Sequence, residues 1–313
     1  MMDRARIGKS GLVSSVLGLG GGSSGRFGLV KGTRSDANRL IHTAIDLGID
    51  FFDGAGLAGG VDEVLADGLG KRRADVVLST KVHLGPDPYL STPLANRASF
   101  WIARRAGWVC SGAALRRRVE LTLRALRSEW IDILHLHAVT PVQYPKAVEQ
   151  ILPELLNMVE EGKLRAIGLT EGFLSDPGHH MLQVAARDGH FDILMAGFNF
   201  INPTAARTVF EPGRRGGLGL VGMFALRGVN AFAGTKAMIE LLEEAQASSL
   251  ADLAYRYARH HSGMDVVLTG TGDADHLRRN VAAIMAPPLP DNMVDRLKSM
   301  AETAQALGAA APK

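Results

Sequence analysis

The chain has 313 residues, of which 46% are hydrophobic, and this is enough apolar material for one large core. Its 35 basic and 32 acidic residues nearly balance, so the net charge of +3 gives no support for a nucleic-acid or membrane partner. The single cysteine, Cys110, excludes an internal disulfide and is typical of a reducing, cytoplasmic compartment.

Eight short apolar runs are predicted strands, and helical patterns fill most of the intervals between them. The runs are VLGLG (16–20), DFFD (50–53), VVLSTK (76–81), DILHLH (132–137), RAIGL (165–169), ILMAG (193–197), LGLVG (218–222) and VVLTG (266–270). Most are unbroken hydrophobic stretches, as expected of parallel strands that are covered on both faces. This alternation favours an α/β fold, a closed (β/α)8 barrel, and no shift in composition divides residues 1–313 into two domains.

Polar residues that can cap helices stand before several of the helical patterns. Ser35 is predicted to cap the first long helix and Gly48 to end it. Ser111 stands before a later run of apolar residues at helical spacing, and Ser249 with Asp252 resembles a capping box. The segment 83–111 has no clear period, and long connections of this kind are usually functional or mobile.

A glycine-rich turn follows the first predicted strand, and GGGSSG (20–25) matches the dinucleotide fingerprint G-x-G-x-x-G. In that fingerprint the last glycine opens a helix directly, whereas RFGLVKGTR intervenes here. The favoured interpretation is therefore a turn at the end of a barrel strand, where bare backbone can approach a flat ring.

Charged and imidazole side chains stand at the ends of three consecutive strands. Asp53 and Lys81 each close a buried run, and an unpaired ammonium is costly to bury, so we expect them to form a charge pair. A purely structural salt bridge is the alternative. His137 closes the next strand and is the better catalytic candidate, whereas His135 is expected to be a hydrogen-bonded interior histidine. No cysteine or nearby carboxylate completes a ligand set around the two histidines, so no metal site is predicted.

Taken together, these motifs resemble the aldo-keto reductases over nearly the whole chain. RIGKSGLVSSVLGLG is similar to the family's N-terminal hairpin and first strand. AIDLGIDFFDGA, VVLSTK and WIDILHLH are similar to the segments that carry its catalytic aspartate, lysine and histidine. EEGKLRAIGLTE and the stretch from SLADLAYRYARHHSGMDVVLTGT to HLRRN are similar to segments that contact the cofactor. The resemblance implies a (β/α)8 barrel with an N-terminal hairpin, a nicotinamide-dependent oxidoreductase of carbonyls or alcohols, and Asp53, Lys81 and His137 as catalytic residues.

The family's catalytic tyrosine has no counterpart in this sequence. It should lie five residues after the aspartate and before a glycine, and that position is Ala58, before Gly59. In the family, the hydroxyl of this tyrosine gives its proton to the carbonyl oxygen, so the resemblance implies an altered proton donor. The alternatives left open are no donor at all, water, or one of four side chains: Lys81, His83, Tyr89 and Tyr144.

The resemblance also implies a set of cofactor-binding positions. NADP(H) is favoured and NAD(H) is the alternative, because the basic contacts to a 2′-phosphate are only partly kept. Methionines replace a glutamine and an aromatic residue that are common in the family, and His276 replaces an arginine. The implied positions are Gly21, Gly22, Asp53, Thr170, Glu171, Met195, Met223, Leu226, Gly270, Thr271, Gly272, His276, Arg279 and Asn280.

The expected partner is a small-molecule substrate, with no nucleic acid or membrane. The N-terminus lacks the apolar core of a signal peptide, and no apolar run approaches the roughly 18 residues of a membrane span. The segment 83–111 corresponds to a family loop that shapes the substrate pocket, and its side chains favour an aromatic or apolar substrate, with an anionic one also open. A loop that packs on itself and exposes its arginines is the alternative. The residues concerned are Phe100, Trp101, Trp108, Arg97, Arg104 and Arg105.

Loss of the tyrosine leaves two other functions open. The first is a redox-neutral isomerase, epimerase or lyase that uses Asp53, Lys81 and His137. The second is a binding protein that senses the state of a cofactor. Neither the substrate nor the oligomeric state follows from the sequence.

Overall fold

The structure is a computed structural model that describes residues 1–22, 26–57, 59–85 and 102–306. Eight parallel strands form a closed barrel, and two short antiparallel strands form a hairpin before it. The hairpin strands are β1 (Arg4–Arg6) and β2 (Val13–Ser15). The barrel strands are β3 (Leu17–Gly20), β4 (Phe51–Asp53), β5 (Val77–His83), β6 (Ile131–Val139), β7 (Leu164–Glu171), β8 (Ile193–Gly197), β9 (Gly219–Met223) and β10 (Val266–Thr269).

The barrel closes in chain order, with β10 pairing to both β3 and β9. This confirms the predicted (β/α)8 fold with its N-terminal hairpin, and all eight predicted strands are present with small differences at their ends. The largest differences are in β5, β6 and β7, which continue two residues past the predicted ends, to His83, Val139 and Glu171. These extensions matter for function because they carry strand pairing to the mouth of the barrel.

Helices surround the barrel as its outer layer. The α-helices are α1 (Arg34–Asp46), α2 (Val61–Leu69), α3 (Gly112–Leu126), α4 (Tyr144–Lys146), α5 (Leu152–Glu160), α6 (His180–Asp188), α7 (Glu211–Arg215), α8 (Lys236–Glu244), α9 (Leu250–His261), α10 (Ala274–Met285) and α11 (Asp291–Ala306). Two π-helical turns, Ala147–Ile151 and Ala206–Phe210, lead into α5 and α7, and 3₁₀ turns occur at Arg26–Gly28, Gly70–Asp75 and Val229–Phe232. Within the described ranges, no helix combines the length and apolar character needed to cross a membrane.

The helix caps follow the sequence prediction only in part. The helix predicted after Ser111 is present as α3, and Ser111 caps it, since its side chain accepts a hydrogen bond from the backbone N–H of Ala114. The prediction of Ser35 as the cap of α1 was wrong. Thr33 takes that role because Asp36, three residues later, completes a reciprocal capping box with it.

The interior of the barrel has an apolar lower part and a polar mouth. The buried residues of the lower part are Ile7, Phe51, Val77, Ile133, Ala166, Ile193, Met195, Val221 and Val266. Ile7 comes from the turn of the N-terminal hairpin, so the hairpin closes the N-terminal end of the barrel. The polar side chains of the strands are thereby concentrated at the carboxyl ends, where barrel enzymes build their sites.

Candidate active site

The strand register brings the polar ends of β4, β5 and β6 together. Asp53 lies opposite Ser79, Lys81 lies opposite His135, and His83 lies opposite His137. Because side chains alternate along a strand, Lys81 and His83 project to the same side of the barrel wall. The register therefore places an acid, an ammonium and imidazoles in one group at the barrel mouth.

Asp53 and Lys81 form the buried charge pair that the sequence predicts. Nζ of Lys81 lies 2.5 Å from Oδ2 of Asp53, and the two side chains are 9% and 5% exposed. Nζ also donates to the carbonyl oxygen of Gly54 at 2.9 Å, and Oγ of Ser79 donates to Oδ1 of Asp53 at 2.9 Å. These bonds satisfy both charges inside the fold, so the ammonium is held at a fixed place.

His137 and His83 are joined by a hydrogen bond between their rings. Nδ1 of His137 lies 3.0 Å from Nε2 of His83, and the ring centroids are 4.2 Å apart. Burial, followed by His83, Lys81 and Arg104, holds the pKa of His137 well below its usual range. Burial and the neighbouring positive charges both disfavour protonation of His137, so its ring is neutral at physiological pH.

His135 lies one layer deeper, as predicted, with no exposed surface. Burial, followed by the charge of Lys81, lowers its pKa to about 3. Gly168 makes room for it, since a Cβ at that position would lie only 2.4 Å from Nδ1 of His135. Within the described ranges neither ring nitrogen has a hydrogen bond of full geometry, and the ring interacts only weakly with the backbone of Leu169, so the hydrogen bonding of His135 stays a prediction. Among the described residues, no three His, Cys, Asp or Glu side chains are grouped to hold a metal ion.

Arg104 contributes a further positive charge to the mouth. Its guanidinium is 7% exposed and donates from Nη2 to the carbonyl oxygen of Ala138 at 2.6 Å. Burial lowers its pKa, and its charge contributes to the lowered pKa of His137. Arg105 and Trp108 of the same segment are exposed, so the described part of this loop turns one arginine inward and one outward.

Asp62 is a polar residue of this region that the sequence analysis missed. It is fully buried, accepts hydrogen bonds from Oγ1 of Thr80 at 3.2 and 3.3 Å, and burial raises its pKa to about 8. A Cβ at Gly54 would lie 2.4 Å from Oδ1 of Asp62, so this carboxyl packs against the loop that follows Asp53. Its position three residues before Leu65, on the buried face of α2, was the available signal.

The described tyrosines have roles elsewhere in the fold. The hydroxyl of Tyr144 bonds to Oδ2 of Asp188 at 3.2 Å in the outer layer, and burial raises the pKa of this phenol. The hydroxyl of Tyr255 donates to Oγ1 of Thr269 at 2.7 Å, and Tyr257 is 1% exposed in the core. None of these three hydroxyls bonds to Lys81. Several sequence predictions fall on residues outside the described ranges, namely Ser23, Ser24 and Gly25 of the glycine-rich turn, Ala58, Tyr89, Arg97, Phe100 and Trp101.

A cleft of about 300 Å³ brings together most of the predicted adenosine-side positions. It is lined by Leu226, Ser249, Ala251, Asp252, Gly270, Thr271, His276, Arg279 and Asn280. The predicted capping box is half formed. The hydroxyl of Ser249 accepts a hydrogen bond from the backbone N–H of Asp252, but the carboxylate of Asp252 accepts from the backbone N–H of Ser248 and not from that of Ser249. The other carboxylate oxygen of Asp252 is buried with no hydrogen-bond partner in the described part of the chain. Gly272 lies beside the cleft and packs closely against Gly28: a Cβ added to Gly28 would lie 3.1 Å from the carbonyl oxygen of Gly272.

The positions predicted to contact a nicotinamide amide are buried at the end of β7. Oγ1 of Thr170 accepts a bond from the backbone N–H of Ala138 at 2.7 Å. Glu171 is engaged inside the fold, with one oxygen 2.7 Å from Nδ1 of His179 and the other 2.7 Å from the backbone nitrogen of Gly197. Burial raises the pKa of Glu171. One carboxylate oxygen thus ties β7 to β8, and the other ties β7 to the start of α6.

The remaining predicted cofactor positions lie around the mouth. The backbone N–H of Gly21 donates to the carbonyl oxygen of Asp53 at 2.8 Å. A Cβ at Gly22 would meet no atom within 4 Å among the described residues. Met195 is fully buried inside the barrel, and Met223 is partly buried at the end of β9. Among the described residues, the uncrowded backbone at Gly22 and the flexible thioether of Met223 are compatible with the approach of a flat ring.

Comparison with known proteins supports one family. The model of the Aldo/keto reductase family matches residues 16–302. L-galactose dehydrogenase of Arabidopsis thaliana is 28% identical over 170 residues, which are 52% of this chain and 47% of that protein. An uncharacterized oxidoreductase of Bacillus subtilis, YqkF, is 27% identical over 173 residues, or 54% of this chain and 49% of that protein. The matched segments thus span about half the length of each of these relatives.

A solved structure extends the similarity to nearly the whole fold. The holo form of the aldo-keto reductase AKR11C1 from Bacillus halodurans superposes with a TM-score of 0.73 and 21% identity, covering 96% of each chain. At this identity the likeness shows the fold alone. Because the family model covers almost all of the barrel, the chain belongs to the aldo/keto reductase family.

Proposed function

We propose that this chain is a nicotinamide-dependent oxidoreductase that interconverts a carbonyl and an alcohol with a proton donor other than tyrosine. The observation that carries the proposal is the buried Asp53–Lys81 pair next to the bonded rings of His83 and His137. The dehydrogenase and oxidoreductase names of the relatives point in the same direction. Its substrate is a small molecule, and the positive charge of Arg104 at the mouth is compatible with an anionic one.

The polar side chains have complementary roles in this reaction. Lys81, held by Asp53 and the carbonyl of Gly54, places a fixed positive charge where negative charge develops on the carbonyl oxygen. With Nδ1 of His137 engaged by His83, Nε2 is the nitrogen that can contact that oxygen and orient the carbonyl. The nicotinamide, when bound, supplies hydride for reduction or accepts it in the reverse direction.

The residues of the cleft fit the adenosine end of such a cofactor. Arg279 offers donors and positive charge to phosphate, His276 offers a ring N–H, and the N-terminus of α10 adds a favourable dipole for an anion. The unpartnered oxygen of Asp252 is a ready acceptor for a ribose hydroxyl or an adenine amine, and its charge opposes a 2′-phosphate. We propose NADP(H) on the strength of the two basic side chains, with NAD(H) as the alternative.

Titration of the intact protein with NADPH and NADH, by nucleotide fluorescence and by calorimetry, tests the proposal. We expect saturable binding of at least one nucleotide with a Kd at or below about 1 μM, which corresponds to roughly −8 kcal/mol. Arg279→Gln should weaken this binding, whereas Arg278→Gln, one residue earlier and outside the cleft lining, should not. Failure of both nucleotides to saturate the protein would remove the oxidoreductase proposal.

A further inference from the structure

The bond between His83 and His137 joins an implied catalytic residue to a histidine outside the implied catalytic set. Nδ1 of His137 lies 3.0 Å from Nε2 of His83, with 38° between the ring planes. We propose that the two imidazoles form a proton relay, in which His83 supplies through His137 the proton that a tyrosine would otherwise give. This inference rests on the proposed function and names the residue that completes its proton transfer.

The charges around the two rings favour a neutral pair. Lys81 and His135 face them from inside the barrel, Arg104 approaches from the segment after β5, and Arg118 of α3 donates to the backbone carbonyl of His83 at 2.6 Å. With so much positive charge nearby, a proton added to either ring would be repelled, in keeping with the lowered pKa of His137. A neutral imidazole donates from one nitrogen and accepts at the other, which is the property that a relay requires.

The direction of the shared bond sets the tautomer of His137. If Nε2–H of His83 donates, Nδ1 of His137 is the acceptor, and the proton of His137 must lie on Nε2. That nitrogen is the one that can contact a carbonyl oxygen. His83 therefore acts as a positioning residue, because it fixes the tautomer of His137 and later replaces the proton that His137 gives away.

The proton transfers balance over one turnover. As hydride from a reduced nicotinamide reaches the carbonyl carbon, the π pair moves to oxygen, the Nε2–H bond of His137 breaks and an O–H bond forms. The Nε2–H bond of His83 breaks as a new Nδ1–H bond forms on His137. A proton from solvent reaches Nδ1 of His83 in the same concerted step, so neither ring becomes charged, and each ring then holds its proton on Nδ1. After the alcohol leaves, a solvent proton adds to Nε2 of His137, the Nδ1 proton of His137 returns to Nε2 of His83, and the Nδ1 proton of His83 leaves to solvent, which restores both starting tautomers. The alcohol has gained one hydride and one proton, and alcohol oxidation is the reverse sequence.

The other described candidates for the donor are less suitable. Lys81 is held by Asp53, and loss of its proton would leave a buried carboxylate without its counter-charge. The hydroxyl of Tyr144 bonds to Asp188 in the outer layer. Among the described candidates, His83 is the one that bonds to the ring of His137, the residue expected to contact the carbonyl oxygen.

The first test needs no turnover. In the intact protein labelled with ¹⁵N-histidine, long-range ¹⁵N–¹H correlation spectra report which ring nitrogen carries a proton, and spectra of His83→Gln and His137→Gln assign the signals. We expect His137 to be neutral and protonated on Nε2 between pH 6 and pH 8, with or without NADPH. A charged ring, or a proton on Nδ1 of His137, would overturn the relay, because His83 could not then be the donor.

The second test measures reduction of 4-nitrobenzaldehyde with whichever nucleotide binds. We expect His83→Ala and His83→Gln to lower kcat by about 10- to 100-fold, at the lower end of general acid contributions. The KM for aldehyde and the Kd for nucleotide should change by less than about twofold, which is a few tenths of a kcal/mol. Glutamine can hold the His137 ring through its amide N–H but cannot pass a proton on. A His83→Gln variant as fast as wild type would therefore show that His83 only orients its neighbour.

A proton inventory in mixtures of H₂O and D₂O distinguishes proton transfer by His83 from a role in which His83 only orients His137. Two protons in flight predict a curved dependence of kcat on deuterium fraction for wild type and a straight line for His83→Gln. His260→Gln, which changes an exposed histidine bonded to the backbone of Ala286, is the matched control and should behave as wild type.

The outcomes separate the relay from the proposed function. If neither nucleotide binds, the proposed function fails and the relay with it. If wild type binds nucleotide and reduces the aldehyde while His83→Gln is equally fast, only the relay fails. Nucleotide binding without aldehyde reduction by wild type also overturns the relay, because a relay for carbonyl reduction must operate on this accessible carbonyl.

Discussion

Oδ2 of Asp53 lies 2.5 Å from Nζ of Lys81 at the mouth of the barrel, although the two residues are 28 positions apart in the sequence. Strand β4 pairs with β5 in parallel, so the carboxylate at the end of one strand meets the ammonium near the end of the next. Nearly full burial makes this pair costly to break and useful as a fixed charge.

The substitution Asp53→Ala should destabilise the protein strongly. It leaves the ammonium of Lys81 buried without a counter-charge, and we expect the free energy of unfolding to fall by about 3–5 kcal/mol. Urea denaturation of the protein without nucleotide measures this. Glu211→Ala breaks the exposed pair with Arg215 and should cost less than about 1 kcal/mol. Similar small losses in both variants would contradict the description of a buried pair.

Asp62 should make stability depend on pH in an uncommon direction. Its pKa is about 8 in the folded protein against an ordinary value of 3.8, so the unfolded chain releases this proton first as pH rises. The contribution of this group to stability is therefore fully present below pH 3.8 and is lost as the pH rises towards 8. The maximal slope for one proton is about 1.4 kcal/mol per pH unit.

Asp62→Asn removes the titration while keeping the shape of the side chain. Relative to wild type, the variant should gain stability steadily as the pH is raised from 5 to 8, as measured by urea denaturation at several pH values. Asp46→Asn, at an exposed residue of α1, should follow the wild-type curve. Parallel curves for wild type and Asp62→Asn would mean that Asp62 is ionised in the folded protein.

Arg279 should set the preference between the two nucleotides. Because it lines the cleft, Arg279→Gln should weaken NADPH binding by about tenfold, or roughly 1.4 kcal/mol, and NADH binding much less. Calorimetric titration of both nucleotides gives the ratio. Arg278→Gln is the control, since Arg278 bonds to the carbonyl of Ala274 on its own helix. An equal loss for both nucleotides would show that Arg279 does not contact a 2′-phosphate.

Restoring the family tyrosine tests whether the site has been rebuilt or merely weakened. We expect Ala58→Tyr to leave the reduction of generic aldehydes near the wild-type rate, because the proton already comes from another donor. A merely weakened site would instead gain at least an order of magnitude, within the usual 10²–10⁴-fold range of a general acid. Steady-state assays with simple aldehydes decide between these, and Lys81→Met, which removes the fixed charge, should abolish activity in either background.

The architecture and the central charge pair were readable from the sequence. Eight unbroken apolar runs alternating with helical patterns leave few folds other than a barrel, and strand ends must then meet at one mouth. Asp53 and Lys81 were paired on that reasoning, because each closes a buried strand and a buried charge needs a partner. The cap of α1 at Thr33 was missed because both Thr33 and Ser35 are good caps, and only the position of Asp36 decides between them.

The tertiary structure decided which polar groups touch. His83 meets His137 because β5 continues to residue 83 and the β5–β6 register sets these residues side by side, and neither fact is encoded locally. Arg104 turns inward while Arg105 stays exposed, and Asp62 becomes a protonated acid only because β5 and the loop after Asp53 enclose it. Sequence periodicity determines which side of an element is buried, whereas distances between side chains, and the pKa values that depend on them, are properties of the assembled barrel.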